Sequence, residues 1–222
     1  MSLSIENISK KYRKKTVLEN VSINAEYGTQ IGILGKNGSG KSTLLSILSG
    51  ILPGDTGKFL VDGADLLKNT ALRNKYCAYV PQEVPLIGEL SARDNLKMWY
   101  DNDKLKKELE SGFLKVLGVD EFIDVRVSRM SGGMKKRLSI GCAISEDPKI
   151  LLLDEPTAAL DLICKDIIYD YLRAFKNKGG IVLLATHDEK EIAECDSLYV
   201  ISEGIAKPVS FDGSVKELLK NF

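Results

Sequence analysis

The chain has 222 residues, enough for one large domain with a substantial hydrophobic core. Lys and Arg together number 31, as do Asp and Glu, so no overall charge attracts a polyanion and we expect no nucleic-acid partner. The four cysteines (Cys77, Cys142, Cys164 and Cys195) form no C-x-x-C pair, which indicates reduced core residues rather than a disulfide framework or a sulfur-ligated metal.

Apolar runs in the chain are short. None approaches the roughly 18 to 20 residues that a membrane-spanning helix needs. The first residues also lack the basic and apolar regions of a signal peptide. We therefore expect a cytoplasmic protein that reaches a membrane only through a separate partner.

The first part of the chain reads as strands with one helix. Residues 1–30 alternate in short β-like runs, with Tyr12 in a basic turn between them. Residues 30–34 predict a short buried strand, and residues 43–48 open a helix. Residues 58–61 and 77–80 predict two further strands. This part of the chain is therefore expected to supply strands around one early helix.

The character changes to helical between about residues 86 and 145. Ser91 and Asp94 form a capping-box pattern, which predicts a helix that continues through residues 98–100. Residues 104–117 predict a second amphipathic helix, and Ser131 is expected to cap a third over 132–144. We predict a helical subdomain over about 86–145, inserted into a core formed by about 1–85 and 146–222.

Strands and helices alternate again after this insertion. A strand at 150–153, a helix at about 161–177 and a strand at 181–185 are followed by a helix and closing strands. Such alternation argues for a parallel sheet with right-handed crossovers. The predicted fold class is α/β.

Residues 35–42 form a candidate phosphate-binding loop. They match the pattern G-x-x-x-x-G-K-[ST] and lie between a predicted strand and a predicted helix. Glycines let successive N–H groups point at an anion, and the helix start adds partial positive charge. Lys41 can reach the β- and γ-phosphates, and the Ser42 hydroxyl can hold Mg²⁺. A chance match in a glycine-containing turn is disfavoured by the flanking elements, so the loop predicts a nucleoside triphosphate site.

Two carboxylates follow the apolar strand at 150–153. Ligands in parallel sheets sit beyond the carboxyl ends of the strands, which is also where the phosphate loop opens. Asp154 suits the Mg²⁺ shell, through water, and Glu155 suits polarising an attacking water. The alternative, a pair of acids that caps the next turn, is less favoured beside a phosphate loop.

Two further features lie outside that loop. Ser131 followed by Gly132 and Gly133 leaves a bare helix end that a second anion can approach. An ordinary capped helix is the simpler interpretation of this segment in isolation. His187 is the only histidine and follows a predicted central strand, where it can contact a γ-phosphate or be merely structural.

Taken in order, these motifs resemble the nucleotide-binding subunit of ABC (ATP-binding cassette) transporters from residue 3 to about 219. The resemblance implies a P-loop NTPase fold, with a RecA-like parallel-sheet core, an N-terminal antiparallel β subdomain and an inserted α-helical subdomain. The matching positions, named as in the family, are Tyr12 (adenine stacking), Gly35, Asn37, Gly38, Ser39, Gly40, Lys41, Ser42 and Thr43 (Walker A), Gln82 (Q-loop), Ser131 and Gly133 (signature), Asp154 and Glu155 (Walker B), Asp161 (D-loop) and His187 (switch).

The resemblance also implies roles for these residues. Tyr12 would stack on the adenine of ATP, and Gln82 would sense Mg²⁺ and the attacking water while contacting a membrane partner. Glu155 would be the general base, with Lys41 and His187 on the phosphates. The signature residues would bind the γ-phosphate of ATP held by an opposite subunit. This implies a homodimer or heterodimer, attached through a transmembrane permease to the cytoplasmic face of a membrane.

The sequence departs from the family pattern at three positions. The signature usually reads Leu-Ser-Gly-Gly-Gln, but here its ends are Met130 and Met134. Its Ser-Gly-Gly centre is intact, so we expect ATP-induced closure to be retained but weaker. Ala158 stands where many members carry serine, which removes one hydroxyl contact at the dimer seam.

Two other function classes share part of this motif pattern. A soluble ABC ATPase outside a transporter, such as one for iron–sulfur assembly, stays open on the sequence. A GTPase or small-molecule kinase would leave the Ser131 segment and His187 unexplained, and the chain lacks an N-K-x-D guanine motif.

The basic residues 10–15 are interpreted as a solvated hairpin, with electrostatic attraction of ATP as the weaker alternative.

Overall fold

The computed structural model describes residues 2–13, 15–83 and 85–211, and in this part of the chain the strands form two sheets. The first is antiparallel and lies at the N-terminal end of the sequence. In spatial order its strands are β2 (Lys15–Glu26), β1 (Ser2–Tyr12), β4 (Thr56–Val61) and β5 (Ala64–Asp65). Strand β1 therefore runs through to Tyr12, and the short runs predicted for residues 1–30 are one long hairpin followed by β3 (Gln30–Leu34).

The second sheet carries the predicted parallel core. Its spatial order is β10 (Ile205–Val209), β9 (Ser197–Ser202), β3, β8 (Ile181–Ala185), β7 (Ile150–Asp154) and β6 (Cys77–Val80). All neighbouring pairs are parallel except β10 with β9. Every residue of β3, β7 and β8 is buried, as expected for parallel strands covered on both faces. The α/β class is confirmed.

Helices lie on this second sheet and form the insertion. They are α1 (Lys41–Ser49), α2 (Thr70–Tyr76), α3 (Ala92–Leu96), α4 (Asn102–Ser111), α5 (Phe113–Val116), α6 (Gly132–Ala143), α7 (Leu162–Asn177) and α8 (Glu189–Ala193). Helices α3 to α6 all fall between β6 and β7 in the chain. The exact subdomain boundaries stay a prediction. The last predicted helix, near residue 219, lies outside the described residues.

The helix after Ser91 is shorter than predicted. The capping box forms, because the Asp94 N–H donates to Ser91 Oγ (3.1 Å) and the Ser91 N–H donates to the Asp94 carboxylate (3.3 Å). However, α3 ends at Leu96 and does not continue through residues 98–100. Tyr100 is instead drawn into the core, where its hydroxyl donates to the Gly141 carbonyl at 2.7 Å. That tertiary bond has no local signal in the sequence.

The helix predicted over 104–117 is broken in two. Gly112 lies between α4 and α5 in an extended conformation, with φ −95° and ψ −162°. The Glu108 carboxylate accepts the N–H of Phe113 at 2.8 Å and so starts the second segment. A side chain that competes for a backbone donor ends the first helix here.

Buried residues of the second sheet face two hydrophobic clusters. In β7, Leu151 and Leu153 face the inserted helices, whereas Ile150 and Leu152 face α1 and the first sheet. Strand β7 is thereby packed on both faces, which fixes the position of its C-terminal end. Among the described helices, none has both the length and the apolar character required to cross a bilayer.

Candidate active site

The phosphate loop connects β3 to α1 and depends on glycine backbone geometry. Gly38 and Gly40 have φ of 78° and 112°, a region that residues with a Cβ rarely adopt. A Cβ on Gly38 would meet nothing within 4 Å, so this backbone faces open space. A Cβ on Gly40 would stand 2.9 Å from the Val17 carbonyl of β2, so the hairpin backs the loop. The loop is therefore supported behind and open in front.

Lys41 is held inside this loop. Its side chain is buried, and Nζ donates to the carbonyls of Gly35 (2.8 Å) and Lys36 (3.2 Å). Burial lowers the pKa of Lys41, while the charges of Glu155 and Asp154 oppose that shift. Both carboxylates thus act on the ammonium group, which has carbonyl partners that a phosphate can replace.

Ser39 supports the same interpretation of the loop. Its hydroxyl oxygen is buried and has no hydrogen-bond partner among the described residues. Buried hydroxyls without partners are uncommon in folded proteins and call for a physical reason. An anion in the loop would supply an acceptor for this hydroxyl.

The loop opens into a cavity of about 280 Å³. Six of the predicted Walker A residues, without Gly35 and Ser39, share it with two side chains that are distant in the sequence. The lining consists of Asn37, Gly38, Gly40, Lys41, Ser42, Thr43, Gln82 and Glu155. The structure therefore brings the loop, Gln82 beyond the end of β6 and Glu155 directly after β7 to one place.

Glu155 is the centre of a small polar cluster. Its φ of 47° is left-handed, which is unusual for a residue with a side chain, and its N–H donates to the Ala185 carbonyl at 2.9 Å. Gln82 Nε2 donates to Glu155 Oε2 at 3.0 Å, and His187 Nε2 lies 3.5 Å from Glu155 Oε1. The buried Asp154 precedes it at the end of β7.

His187 is poised as a neutral group. Burial lowers its pKa from the usual 6.5, and the positive charge of Lys41 lowers it further, while Glu155 acts in the opposite direction. A neutral imidazole next to a carboxylate donates one hydrogen bond and adds no second charge to the cavity.

Three predicted site residues lie away from this cavity. Tyr12 is exposed at the end of β1, with the Lys10 ammonium 5.5 Å from its ring centroid. Ser131 is exposed and caps α6, because its Oγ accepts the Met134 N–H at 3.2 Å. Gly133 is buried against Cys164 of α7, and neither it nor Ser131 lines the cavity. The signature segment does not complete the phosphate site of its own chain.

A family model described as "ABC transporter" matches residues 18–158, which is more than half of the chain. The chain belongs to the ABC transporter family. As an ATP-binding cassette of this family it is an ATPase. The predicted family resemblance and P-loop NTPase fold are confirmed.

Two curated relatives and one solved structure illustrate the similarity. The linearmycin resistance ATP-binding protein LnrL of Bacillus subtilis is 34% identical over 91% of this chain and 67% of its own length. The Nod factor export ATP-binding protein I of Sinorhizobium fredii is 35% identical over 92% of this chain and 61% of its own length. The chain thus spans about two thirds or less of these relatives. A dimeric, post-hydrolysis structure of the cassette MJ0796 bound to ADP and Pi has a TM-score of 0.83 at 25% identity, covering 94% of this chain and 98% of that one.

Behind the ABC site lies a buried polar cluster that the sequence interpretation missed. Glu191 of α8 is 1% exposed and accepts hydrogen bonds from the hydroxyls of Thr157 (2.8 Å) and Thr186. It joins the turn after Glu155 to the strand end before His187. Burial raises the pKa of Glu191 to about 7, with the two threonine hydroxyls opposing the shift. This carboxylate can be recognised only in the folded structure, where α8, the turn after Glu155 and the end of β8 come together.

We expect the Glu191→Gln substitution to flatten the pH dependence of stability. The folded-state pKa of about 7 exceeds the ordinary 4.5, so the folded state binds the proton more tightly. Its stabilising contribution is full below about pH 4.5 and is lost as pH rises through 7. The loss is on the order of 3 kcal/mol. The free energy of unfolding in urea should therefore fall between pH 5 and 8 by less in this variant than in the wild type. Glu189→Gln, an exposed neighbour on α8, is the control and should follow the wild type; parallel pH profiles for all three proteins would contradict the expectation.

Proposed function

We propose that the chain is the ATP-hydrolysing subunit of an ABC transporter and works as one of a pair on a membrane-spanning partner. One observation carries the pairing. Lys41, Gln82 and Glu155 gather around one cavity, whereas the Ser131–Gly133 helix end opens elsewhere on the same chain. A second subunit placed head to tail supplies that helix end, so that two ATP sites are shared.

In this proposal each side chain near the cavity has one task in ATP hydrolysis. The Lys41 ammonium and the loop N–H groups hold the β- and γ-phosphates. Glu155 accepts a proton from the water that attacks the γ-phosphorus, and the bond to the β–γ bridging oxygen breaks to leave ADP and phosphate. His187 donates a hydrogen bond to the γ-phosphate. Tyr12 supports the adenine from the hairpin.

Mg²⁺ fits the oxygen donors at this site. The Ser42 hydroxyl and the Gln82 amide both line the cavity, and Asp154 lies at the end of the adjoining strand. No group of three or more His, Cys, Asp or Glu side chains suited to a metal occurs among the described residues. Hard oxygen donors completed by phosphate and water are what Mg²⁺ prefers, and the ion would neutralise phosphate charge.

The membrane partner is proposed to dock on the surface that follows Gln82. Ile87, Met98 and Trp99 expose 44%, 51% and 59% of their surface near this segment. Asn95 Oδ1 accepts the Ile87 N–H at 3.0 Å and fixes this segment to α3. Exposed apolar side chains that form one contiguous patch mark protein interaction sites, and we propose that these three belong to such a patch. In this arrangement the subunit works at the cytoplasmic face, where ATP is available, and its relatives named for resistance and export support a transport role.

The dependence of ATP turnover on protein concentration tests the proposal. If each site needs two chains, specific ATPase activity rises with protein concentration below the dimer dissociation constant and then levels off. The activity should require Mg²⁺ and vanish with EDTA, and Lys41→Ala gives the background rate. Specific activity that is independent of concentration over a hundredfold dilution, with a monomer by light scattering, would contradict the shared sites.

A further inference from the structure

Lys136 is a buried lysine on the helix that presents the signature segment. It lies in the second turn of α6 and is 5% exposed. Its Nζ donates to the Pro81 carbonyl at 2.9 Å and, at 3.4 Å, to the Gln82 carbonyl. Among the described residues it forms no ion pair within 4.0 Å. A buried cation with only carbonyl partners is costly, and this one is aimed at the segment that carries Gln82.

The carboxylates around this amine oppose the effect of burial on its pKa. Burial lowers the pKa of Lys136, and the carboxylates of Asp154, Glu191 and Glu155 oppose that effect. Two of these carboxylates belong to the candidate active site. The charged amine therefore bridges α6 to the Q-loop backbone and at the same time responds to the electrostatics of the phosphate site.

A continuous path of contacts follows. Ser131 caps the exposed end of α6, Lys136 ties the same helix to the Gln82 backbone, and the Gln82 side chain donates to Glu155. We propose that Lys136 is a positioning residue that couples the ATP site of this chain to the helix end it offers to a second copy. The inference rests on the proposed function, since it requires the two shared sites described above.

The hydrogen bond between Lys136 and the Gln82 carbonyl links the two segments in a way that packing alone does not. If Gln82 moves when ATP and Mg²⁺ bind, its carbonyl moves with it, and the hydrogen bond to Lys136 transmits the shift to α6. Among the described residues, Lys136 alone forms hydrogen bonds between α6 and Pro81 or Gln82, so loss of the ammonium removes the directional contacts between these segments. Binding of ATP to this chain then shifts the Ser131–Gly133 end of α6 less. Because that helix end belongs to the second ATP site, cooperativity between the two sites falls.

The test compares Lys136→Met with Lys135→Met. Methionine keeps most of the length and an apolar stem at position 136 but removes the charge and all donors. Lys135 is its half-exposed neighbour on α6, so its substitution controls for loss of a charge. We expect Lys136→Met to lower kcat about tenfold and the Hill coefficient for ATP towards 1. The Kd of the monomer for a fluorescent ATP analogue should stay within twofold of the wild type. Lys135→Met should match the wild type in all three measurements.

Two further substitutions of Lys136 distinguish this positioning role from a purely structural one. Lys136→Arg keeps a cation with donors and should recover at least half of the wild-type Hill coefficient above 1. If Lys136→Met folds poorly, Lys136→Arg and Lys136→Gln decide, because only the first keeps the cation. An unchanged Hill coefficient and kcat in a folded Lys136→Met protein would overturn the proposal, and so would a loss of monomer affinity that equals the loss of kcat. A wild type without cooperativity would instead count against the shared sites themselves.

Discussion

Glu155→Gln is expected to lower kcat for ATP hydrolysis about 10²- to 10⁴-fold, the usual contribution of a general base. Glutamine keeps the side chain's size and its acceptor for Gln82 Nε2, which lies 3.0 Å from the carboxylate. It cannot take a proton from water. Binding of ATP should change less than twofold, because Lys41 and the loop N–H groups are untouched. Steady-state phosphate release and equilibrium nucleotide binding measure the two effects separately.

The same substitution should stabilise the ATP-bound dimer. ATP that binds across two chains and is not hydrolysed acts as an interface ligand, so the dimer persists while ATP is present. Gel filtration of Glu155→Gln with ATP and Mg²⁺ should show a dimer, and removal of the nucleotide should return the monomer. Glu146→Gln, an exposed carboxylate before β7, is the control and should behave as the wild type. Normal turnover would show that Glu155 is not the base; a monomer at saturating ATP would count against the shared sites.

Some elements were predictable to the residue. The strands Gln30–Leu34, Cys77–Val80 and Ile181–Ala185 coincide with their predicted bounds. Each is a short apolar run buried in the central sheet, so local composition and tertiary environment agree. The break at Gly112 was not predictable, because it depends on the Glu108 carboxylate capturing the Phe113 N–H. Side-chain competition of this kind does not change the helical spacing of apolar residues, so the sequence pattern gives no sign of the break.

The candidate site likewise contains residues that the sequence predicted and residues that only the folded structure reveals. Gln82 and Glu155 meet because each follows a parallel strand, and strand ends share one edge of the sheet. Lys136 was missed because its partner Pro81 lies 55 residues away, and Glu191 because one of its two partners, Thr157, lies 34 residues away, with no motif that marks either pair. A Lys–Lys–Arg run on a helix is usually an exposed face, but here the fold buries both Lys136 and Arg137.

Alanine substitutions at the two signature glycines, Gly132 and Gly133, are expected to have large but different effects on stability and ATP turnover. The reason is that the space around the two positions differs. A Cβ on Gly133 would collide with the Cys164 Sγ and stand 2.9 Å from the Cys164 Cβ. A Cβ on Gly132 would meet only Leu160 Cδ2, at an ordinary 3.8 Å. Gly133→Ala should therefore push the start of α6 away from α7, lower the melting temperature and reduce ATP turnover about a hundredfold. Overpacking of this kind costs about 1–3 kcal/mol.

Gly132→Ala separates folding from phosphate contact. The position is exposed at the helix start, so alanine fits and adds up to about 1 kcal/mol of helix propensity. The melting temperature should hold or rise. Turnover and ATP-induced dimerisation should nevertheless fall about tenfold, because a methyl group then stands where the phosphate of the second copy approaches the bare backbone. Cys164→Gly combined with Gly133→Ala should regain stability relative to Gly133→Ala, since the colliding atoms are gone. Full dimerisation and turnover in Gly132→Ala would mean that the partner's phosphate does not lie at this helix end.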